Sequence, residues 1–198
     1  MKTLNLVIEG MPGAGKTSLL NMISKNNPAF VCHQEIYLPN IESISNDLER
    51  ESKYLDAEIE KLKHLKNGEV NIFDRNFIST LAYSFAIEKI DPTKNGLFNE
   101  IKNLCYQKIS DGSMLLPDVC YILLINPELS MERRSQYAND NNYSIWFNKD
   151  FLNAFYQFYK NTEFGFILND KVKVVYSETT ELEQNYKDIL NTIYEYRI

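Results

Sequence analysis

Histidine is nearly absent from this chain: His33 and His64 are the whole supply. A His-rich metal centre or a Ser-His-Asp triad built on several histidines is therefore not available. Cysteine is also sparse. Cys32, Cys105 and Cys120 are odd in number and far apart, and two of them lie in apolar, strand-like runs. That pattern gives neither a disulfide framework nor a zinc spacing, and reads as cysteine used as a small hydrophobe in a reducing compartment. No apolar run reaches the ~18 residues of a membrane span, and the chain opens on a strand pattern rather than a basic and then apolar leader. A cytoplasmic protein with no membrane partner is expected. Positive charge is in deficit, with 21 Lys and Arg against 27 Asp and Glu. The resulting net charge of −6 argues against a nucleic-acid partner held on a basic face, although a local basic cluster still suits a nucleotide.

Glycine is scarce as well, yet three of the seven glycines fall between positions 10 and 15. There the chain reads Gly10-Met11-Pro12-Gly13-Ala14-Gly15-Lys16-Thr17, followed by Ser18. The apolar run Leu4–Ile8 before it is a buried-strand signal, and Ser18–Ile23 after it has helical spacing. Glycines let successive backbone N–H groups converge on phosphate oxygens at a helix N-terminus. Lys16 adds a mobile charge near the outer phosphates, and the Thr17 hydroxyl is placed to ligate Mg²⁺. The segment is read as a phosphate-binding loop for a nucleoside triphosphate, with residues 10–18 as its contacts.

Apolar residues make up 44% of the chain and charged residues 24%, which suits one globular domain spanning 1–198. Strand signals at Leu4–Ile8, Phe30–His33, Val70–Phe73, Val119–Ile125 and Val172–Tyr176 alternate with helical patterns. Such alternation is the mark of an α/β fold with a parallel sheet. The fourth run is almost wholly apolar, as a strand covered on both faces should be. Between Asn40 and Lys66, Ile41, Ile44, Leu48, Leu55, Ile59, Leu62 and Leu65 form a helical stripe, with Asn40 as its expected N-cap. This amphipathic segment either packs a homodimer or is covered within one chain. Helices are also expected over Asn76–Lys89, Leu97–Ser110, from Pro127 through Arg134, over Asp150–Asn161 and over Glu181–Arg197.

Phosphoryl transfer needs a phosphate cradle, Mg²⁺, cations on the transferred group and an oriented acceptor. In Ile72-Phe73-Asp74-Arg75 a strand runs out into an acid and a base. Ligands of open α/β sheets sit beyond the carboxyl ends of strands, so both side chains would face the crevice. Asp74 would hold Mg²⁺ with Thr17, and Arg75 would bind an acceptor or transferred phosphate; a surface salt bridge is the plainer alternative. Glu35, just past the second strand, is placed to accept the proton of an attacking hydroxyl, or is simply a solvated carboxylate. Glu9 is a weaker candidate for the same tasks, and His33 reads as a packed strand residue. Arg133-Arg134 precede the polar stretch Asn139–Asn142, which suggests a flap at about 134–149 that closes over the triphosphate with its own arginines. Among Phe77, Tyr83, Trp146, Phe147, Phe151, Phe155, Tyr156, Phe158 and Tyr159, one or two rings would serve as a base platform, but spacing does not select them.

Taken in order from about residue 4 to 160, these segments resemble the thymidylate kinase and deoxynucleoside kinase group of P-loop kinases. The resemblance rests on residues 8–17, on Phe73-Asp74-Arg75 followed by Ser79–Ser84, and on Leu116-Pro117-Asp118. It extends to Ile125-Asn126-Pro127-Glu128 leading to Met131–Arg134, and to Asp150-Phe151-Leu152. It implies a three-layer α/β/α fold with a five-stranded parallel sheet in the order 2-3-1-4-5 and a helical lid. Asp74-Arg75 with Leu81-Ala82-Tyr83 looks like the thymidylate kinase form, whereas Glu35 resembles the catalytic glutamate of deoxynucleoside kinases. The stretch after Arg134 lacks the further lid arginine of that group. The expected activity is ATP- and Mg²⁺-dependent transfer to a nucleoside or nucleoside monophosphate, in nucleotide biosynthesis or salvage. Lys16, Glu35, Asp74, Arg75, Arg133 and Arg134 would be the catalytic set, with Thr17 and Asp74 at the metal. The alternatives are a kinase of another small metabolite or antibiotic, and a nucleotide-binding regulatory protein.

Overall fold

The computed structural model describes residues 2–161, 163–168 and 170–197, without the side chains of residues 42, 141–143 and 197. Five strands, β1 (Leu4–Gly10), β2 (Val31–His33), β3 (Val70–Asp74), β4 (Val119–Leu123) and β5 (Lys173–Ser177), form one sheet. All neighbouring pairs are parallel and the order is β2-β3-β1-β4-β5. This is the order that the resemblance implied. β1, β3 and β4 are apolar because helices cover both faces: every residue of β3 and β4 is buried.

Among the described residues, seven α-helices connect and cover the strands: α1 (Lys16–Asn26), α2 (Asp47–Leu62), α3 (Phe77–Ile90), α4 (Leu97–Ser110), α5 (Pro127–Arg133), α6 (Lys149–Lys160) and α7 (Leu182–Arg197). α1 packs with α7, while α3 packs with α6, α4 and α2. Phe151, Leu152, Phe155, Phe158 and Tyr159 make the α6 side of the core. Each fully buried apolar side chain of this size contributes about 1.5–3 kcal/mol, so α6 is fixed in position by its rings.

Helix starts follow their caps. The Asn76, Asn126 and Asn148 side chains accept from Ile78, Leu129 and Phe151 backbone N–H groups, opening α3, α5 and α6. The expected helix from Asn40 is corrected. Asn40 stands at φ 60° with no side-chain cap, and only a 3-10 turn (Ile41–Ser43) follows. The cap is Asn46, which accepts from Glu49 N at 2.9 Å, so α2 begins at Asp47, and of the apolar positions before it Ile41 lies in the 3-10 turn and Ile44 directly after it. Within α2, Leu55 is fully buried, and the helix lies against α3 and α4, which cover its apolar stripe. The segment between α5 and α6, where the lid is expected, consists of two 3-10 stretches, Ser135–Tyr137 and Asn141–Phe147. Among the described residues, no helix is long and apolar enough to cross a membrane.

Candidate active site

The loop between β1 and α1 is shaped by backbone that other residues cannot replace. Gly10 has φ 126°, and a Cβ there would lie 2.0 Å from Leu123 O of the neighbouring strand. Gly15 is left-handed at φ 95° and turns the chain into α1. Leu19 N is the first α1 amide to bond back, to Gly15 O at 2.9 Å. The amides of Lys16, Thr17 and Ser18 therefore precede the intrahelical ladder, as the first N–H groups of any helix do. Loop and α5 are tied together: Ser130 Oγ donates to Pro12 O at 2.7 Å, and Arg133 Nη1 to Gly13 O at 3.2 Å.

Lys16 is buried and folds over its own loop, donating to Gly10 O at 3.0 Å and Met11 O at 2.7 Å. Burial, aided by the nearby Arg75 charge, pulls its ammonium down to about 7. Bound phosphate would supply the negative charge that it lacks. Thr17 Oγ1 donates to Asp74 Oδ2 at 2.6 Å, while Asp74 Oδ1 is buried with no hydrogen-bond partner. A buried carboxylate oxygen with nothing to bond, beside a P-loop hydroxyl, fits a Mg²⁺ that takes its other ligands from water and phosphate. Among the described residues no cluster of three or more His, Cys, Asp or Glu forms an all-protein cage, and Mg²⁺ bound with phosphate does not require one.

Arg75 leaves β3 at φ 64° in the left-handed region. In a regular strand, consecutive side chains point to opposite faces. The left-handed step turns the chain, so that Asp74 meets Thr17 while Arg75 meets Ser79 Oγ (2.8 Å from Nη1) and Gly10 O (3.5 Å). Arg75 Nε lies 2.9 Å from Glu35 Oε1, an ion pair whose N–H is out of line for a hydrogen bond. Glu35 is 54% exposed, at the mouth of a cleft. Partial burial pushes its carboxyl up, but the charges of Arg75, Lys16, Lys61 and Arg134 outweigh this and hold it below the ordinary carboxylate range. Near neutral pH it is an ionised base.

The cleft beside Glu35 has a volume of about 200 Å³. Its aromatic wall is Tyr83, Trp146 and Phe155, and its polar wall includes Arg50, Glu51, Tyr54 and Glu58 from α2, with Ser79 and Thr80 from α3. Arg75 lines the cleft as well, and both arginines face carboxylates: Arg50 pairs with Asp47 and Glu51, and Arg75 with Glu35. The α2 contribution was not anticipated from sequence. Glu51, Tyr54, Glu58 and Lys61 follow one another at three- and four-residue steps, a polar stripe with helical spacing, and that is the signal that would have found it.

The remaining candidates separate. Glu9 is wholly buried and accepts from Asn76 N (2.8 Å), Ser79 Oγ (2.6 Å) and Tyr159 OH (2.9 Å). Three donors leave it a brace between β1, α3 and α6 rather than a base. His33 stacks on Phe73 with ring centroids 4.5 Å apart, as a packed strand residue. Arg133 reaches the P-loop, whereas the Arg134 guanidinium lies 5.5 Å from the centre of the Trp146 ring. Cys105 and Cys120 are buried; burial pushes the Cys105 thiol to about 12 and the Cys120 thiol up, so neither is a nucleophile.

The fold has counterparts among solved structures. The chain is similar to deoxyadenosine kinase from M. mycoides with the products dCMP and dCDP bound, at a TM-score of 0.71 over 98% of this chain and 100% of that one. It is similar also to the same enzyme with bound dATP, at a TM-score of 0.72 over 96% and 100%. The fold is that of these kinases. Sequence identity is only 18% and 19%, so the likeness is one of architecture. No protein-family model matches the sequence, and no curated protein matches it.

Proposed function

We propose that this chain is an ATP- and Mg²⁺-dependent kinase that phosphorylates a sugar hydroxyl of a nucleoside. The observation that carries the reading is the pairing of Glu35 with Arg75 beside the phosphate loop. Glu35 is an ionised carboxylate at a cleft mouth, where an acceptor hydroxyl would meet the γ-phosphoryl group. The hydroxyl oxygen attacks γ-phosphorus, its proton passes to Glu35, and the bond to the β,γ-bridging oxygen breaks with its electron pair leaving on ADP. Lys16 and the loop amides hold the β- and γ-phosphates. Arg75 and Arg133, with Arg134 from the α5–α6 segment, neutralise charge as the phosphoryl group moves, and the 134–149 segment acts as the lid. Thr17 and Asp74 would hold the Mg²⁺, which supplies charge neutralisation on the β- and γ-oxygens.

A nucleoside is favoured over a nucleoside monophosphate by charge. Three glutamates, Glu35, Glu51 and Glu58, line the cleft, and its two arginines already face carboxylates. An acceptor phosphate would meet carboxylates where it needs cations. A planar base is favoured over an open-chain metabolite by Tyr83, Trp146 and Phe155, which offer rings for stacking. The kinase from M. mycoides binds deoxynucleotides within the same architecture, which supports the reading. The test is ATP consumption against a panel of nucleosides, deoxynucleosides, their monophosphates, sugars and aminoglycosides. Turnover is expected with at least one unphosphorylated nucleoside. Turnover confined to monophosphates would overturn the choice of acceptor, and silence across the panel would overturn the kinase.

A further inference from the structure

We propose that Lys61 is a positioning residue for phosphoryl transfer, holding the Asp74–Arg75 turn so that the metal-side carboxylate and the acceptor-side guanidinium face one crevice. The inference rests on the kinase reading above, and names a residue which that reading leaves without a role.

Lys61 stands in the last turn of α2 and is 5% exposed. A lysine is rarely buried to that degree unless it is fully paired. Its Nζ donates to Asp74 O at 3.2 Å and to Arg75 O at 3.2 Å, and lies 2.9 Å from Glu58 Oε1. Three N–H groups therefore meet three acceptors, two of them consecutive carbonyls of the turn. Arg75 is one of two described non-glycine residues at positive φ, a conformation that persists only where its surroundings over-determine it. Arg75 N is held by Ile8 O at 3.1 Å, Asn76 N by Glu9 Oε1 at 2.8 Å, and the two carbonyls by Lys61. A buried anion thus grips the turn by an amide and a buried cation grips it by its carbonyls. Without the ammonium, two carbonyls in a largely buried region would have no described side-chain donor, and the turn could relax toward an extended strand end. Asp74 and Arg75 would then point to opposite faces. One side chain would leave Thr17, or the other would leave Glu35 and Ser79.

The test compares Lys61→Met, Lys61→Gln and Lys61→Arg with Lys63→Met, an exposed lysine near the end of the same helix whose described ion pair is with Glu60. Four readouts are taken: melting temperature, affinity for a fluorescent ATP analogue with and without Mg²⁺, acceptor KM, and kcat. Lys61→Met should lower kcat by about 10–100-fold, the scale of a small misplacement of reacting groups. It should also raise acceptor KM and abolish the gain in analogue affinity that Mg²⁺ gives, while leaving metal-free affinity unchanged. Lys61→Arg should recover most of these properties, and Lys63→Met should match the parent. A Lys61→Met protein that melts earlier but keeps kcat, KM and the Mg²⁺-linked gain would overturn the proposal, since the lysine would then serve stability alone. If Lys61→Met does not fold, the Lys61→Gln protein is judged by the same outcomes. If the parent turns over no acceptor, the kinase reading has failed separately; the Mg²⁺-linked gain in affinity then decides for or against Lys61.

Discussion

In the proposed kinase, the two halves of the cleft are built in opposite ways. The donor half is one continuous stretch, residues 10–18, in which backbone geometry does most of the work and Asp74 is the main outside contribution. The acceptor half is assembled from the end of β2, from α2, the turn after β3, α3, the α5–α6 segment and α6, each supplying only a few side chains. A triphosphate presents the same charges whatever the base, so a fixed backbone cradle suits it. An acceptor is recognised by its particular hydroxyls and ring, which calls for side chains drawn from several directions. The halves meet at one turn, Asp74-Arg75, whose carboxylate belongs to the first and whose guanidinium belongs to the second.

The largest effect that would sharpen this division is expected at Glu35. Glu35→Gln keeps the size and polarity of the side chain but removes the base, and should lower kcat by about 10²–10⁴-fold. Affinity for an ATP analogue should change little, because Glu35 makes no described hydrogen bond to the loop and acts on Lys16 only through its charge. Initial-rate kinetics at saturating ATP check the first part and equilibrium titration the second. An unchanged kcat would leave the acceptor half without its base.

Next in size is the corresponding break in the donor half. Lys16→Ala should lower kcat by about 10²–10³-fold, the usual loss when a preorganised group on the developing charge is removed. Here acceptor affinity should be retained, the mirror image of the Glu35 result. A Lys16→Ala enzyme with full activity would mean that the loop anchors a nucleotide without taking part in transfer. A smaller change, of about 10-fold, is expected for Arg133→Ala, whose one described hydrogen bond is to Gly13 O. Binding titrations of the Arg133→Ala protein with ADP and a γ-phosphate mimic, and separately with the acceptor, would show whether this side chain acts on the donor half alone.

The asymmetry also explains what was legible in the sequence. A contiguous loop carries its spacing in the chain, so residues 10–18 could be read directly, and the alternation of apolar runs gave the strands to within about two residues. Their order was supplied by resemblance, since periodicity says nothing of which strand lies beside which. The acceptor half depends on distant residues that meet only in the fold. Glu35 and Arg75 were found because both stand at strand ends, where α/β sheets place ligands. Arg50, Glu51, Tyr54, Glu58 and Lys61 were hidden among the charges of an amphipathic helix, where a polar stripe normally faces water. In this fold α2 buries its apolar stripe against α3 and α4 and turns part of its polar stripe toward the cleft. Tyr83, Trp146 and Phe155 emerged from nine candidate rings only when the packing of α3 and α6 was known.

The finest distinction between the halves concerns protons. Lys16 is fully buried in the ligand-free donor half, and desolvation, together with Arg75, lowers its ammonium to about 7 from an ordinary 10.5. Phosphates brought against it restore the missing negative charge and should raise that value again. Binding of the Mg²⁺–ATP analogue should therefore take up a proton at pH 8, where the free amine is mostly neutral, and little or none at pH 6, where it is already charged. Uptake approaching about one proton per site is expected at pH 8, read from calorimetric titrations in buffers of different ionisation enthalpy. Glu35, ionised throughout this range, should contribute no such uptake when an acceptor binds. Folding follows the same linkage. The unfolded chain binds the Lys16 proton between about 7 and 10.5 while the folded one does not, so Lys16 makes ligand-free stability rise with pH across that window. Lys16→Met should remove both the uptake and this share of the slope. Uptake that persists in Lys16→Met would move the titrating group elsewhere, and with it the claim that the donor half is held uncharged until its phosphates arrive.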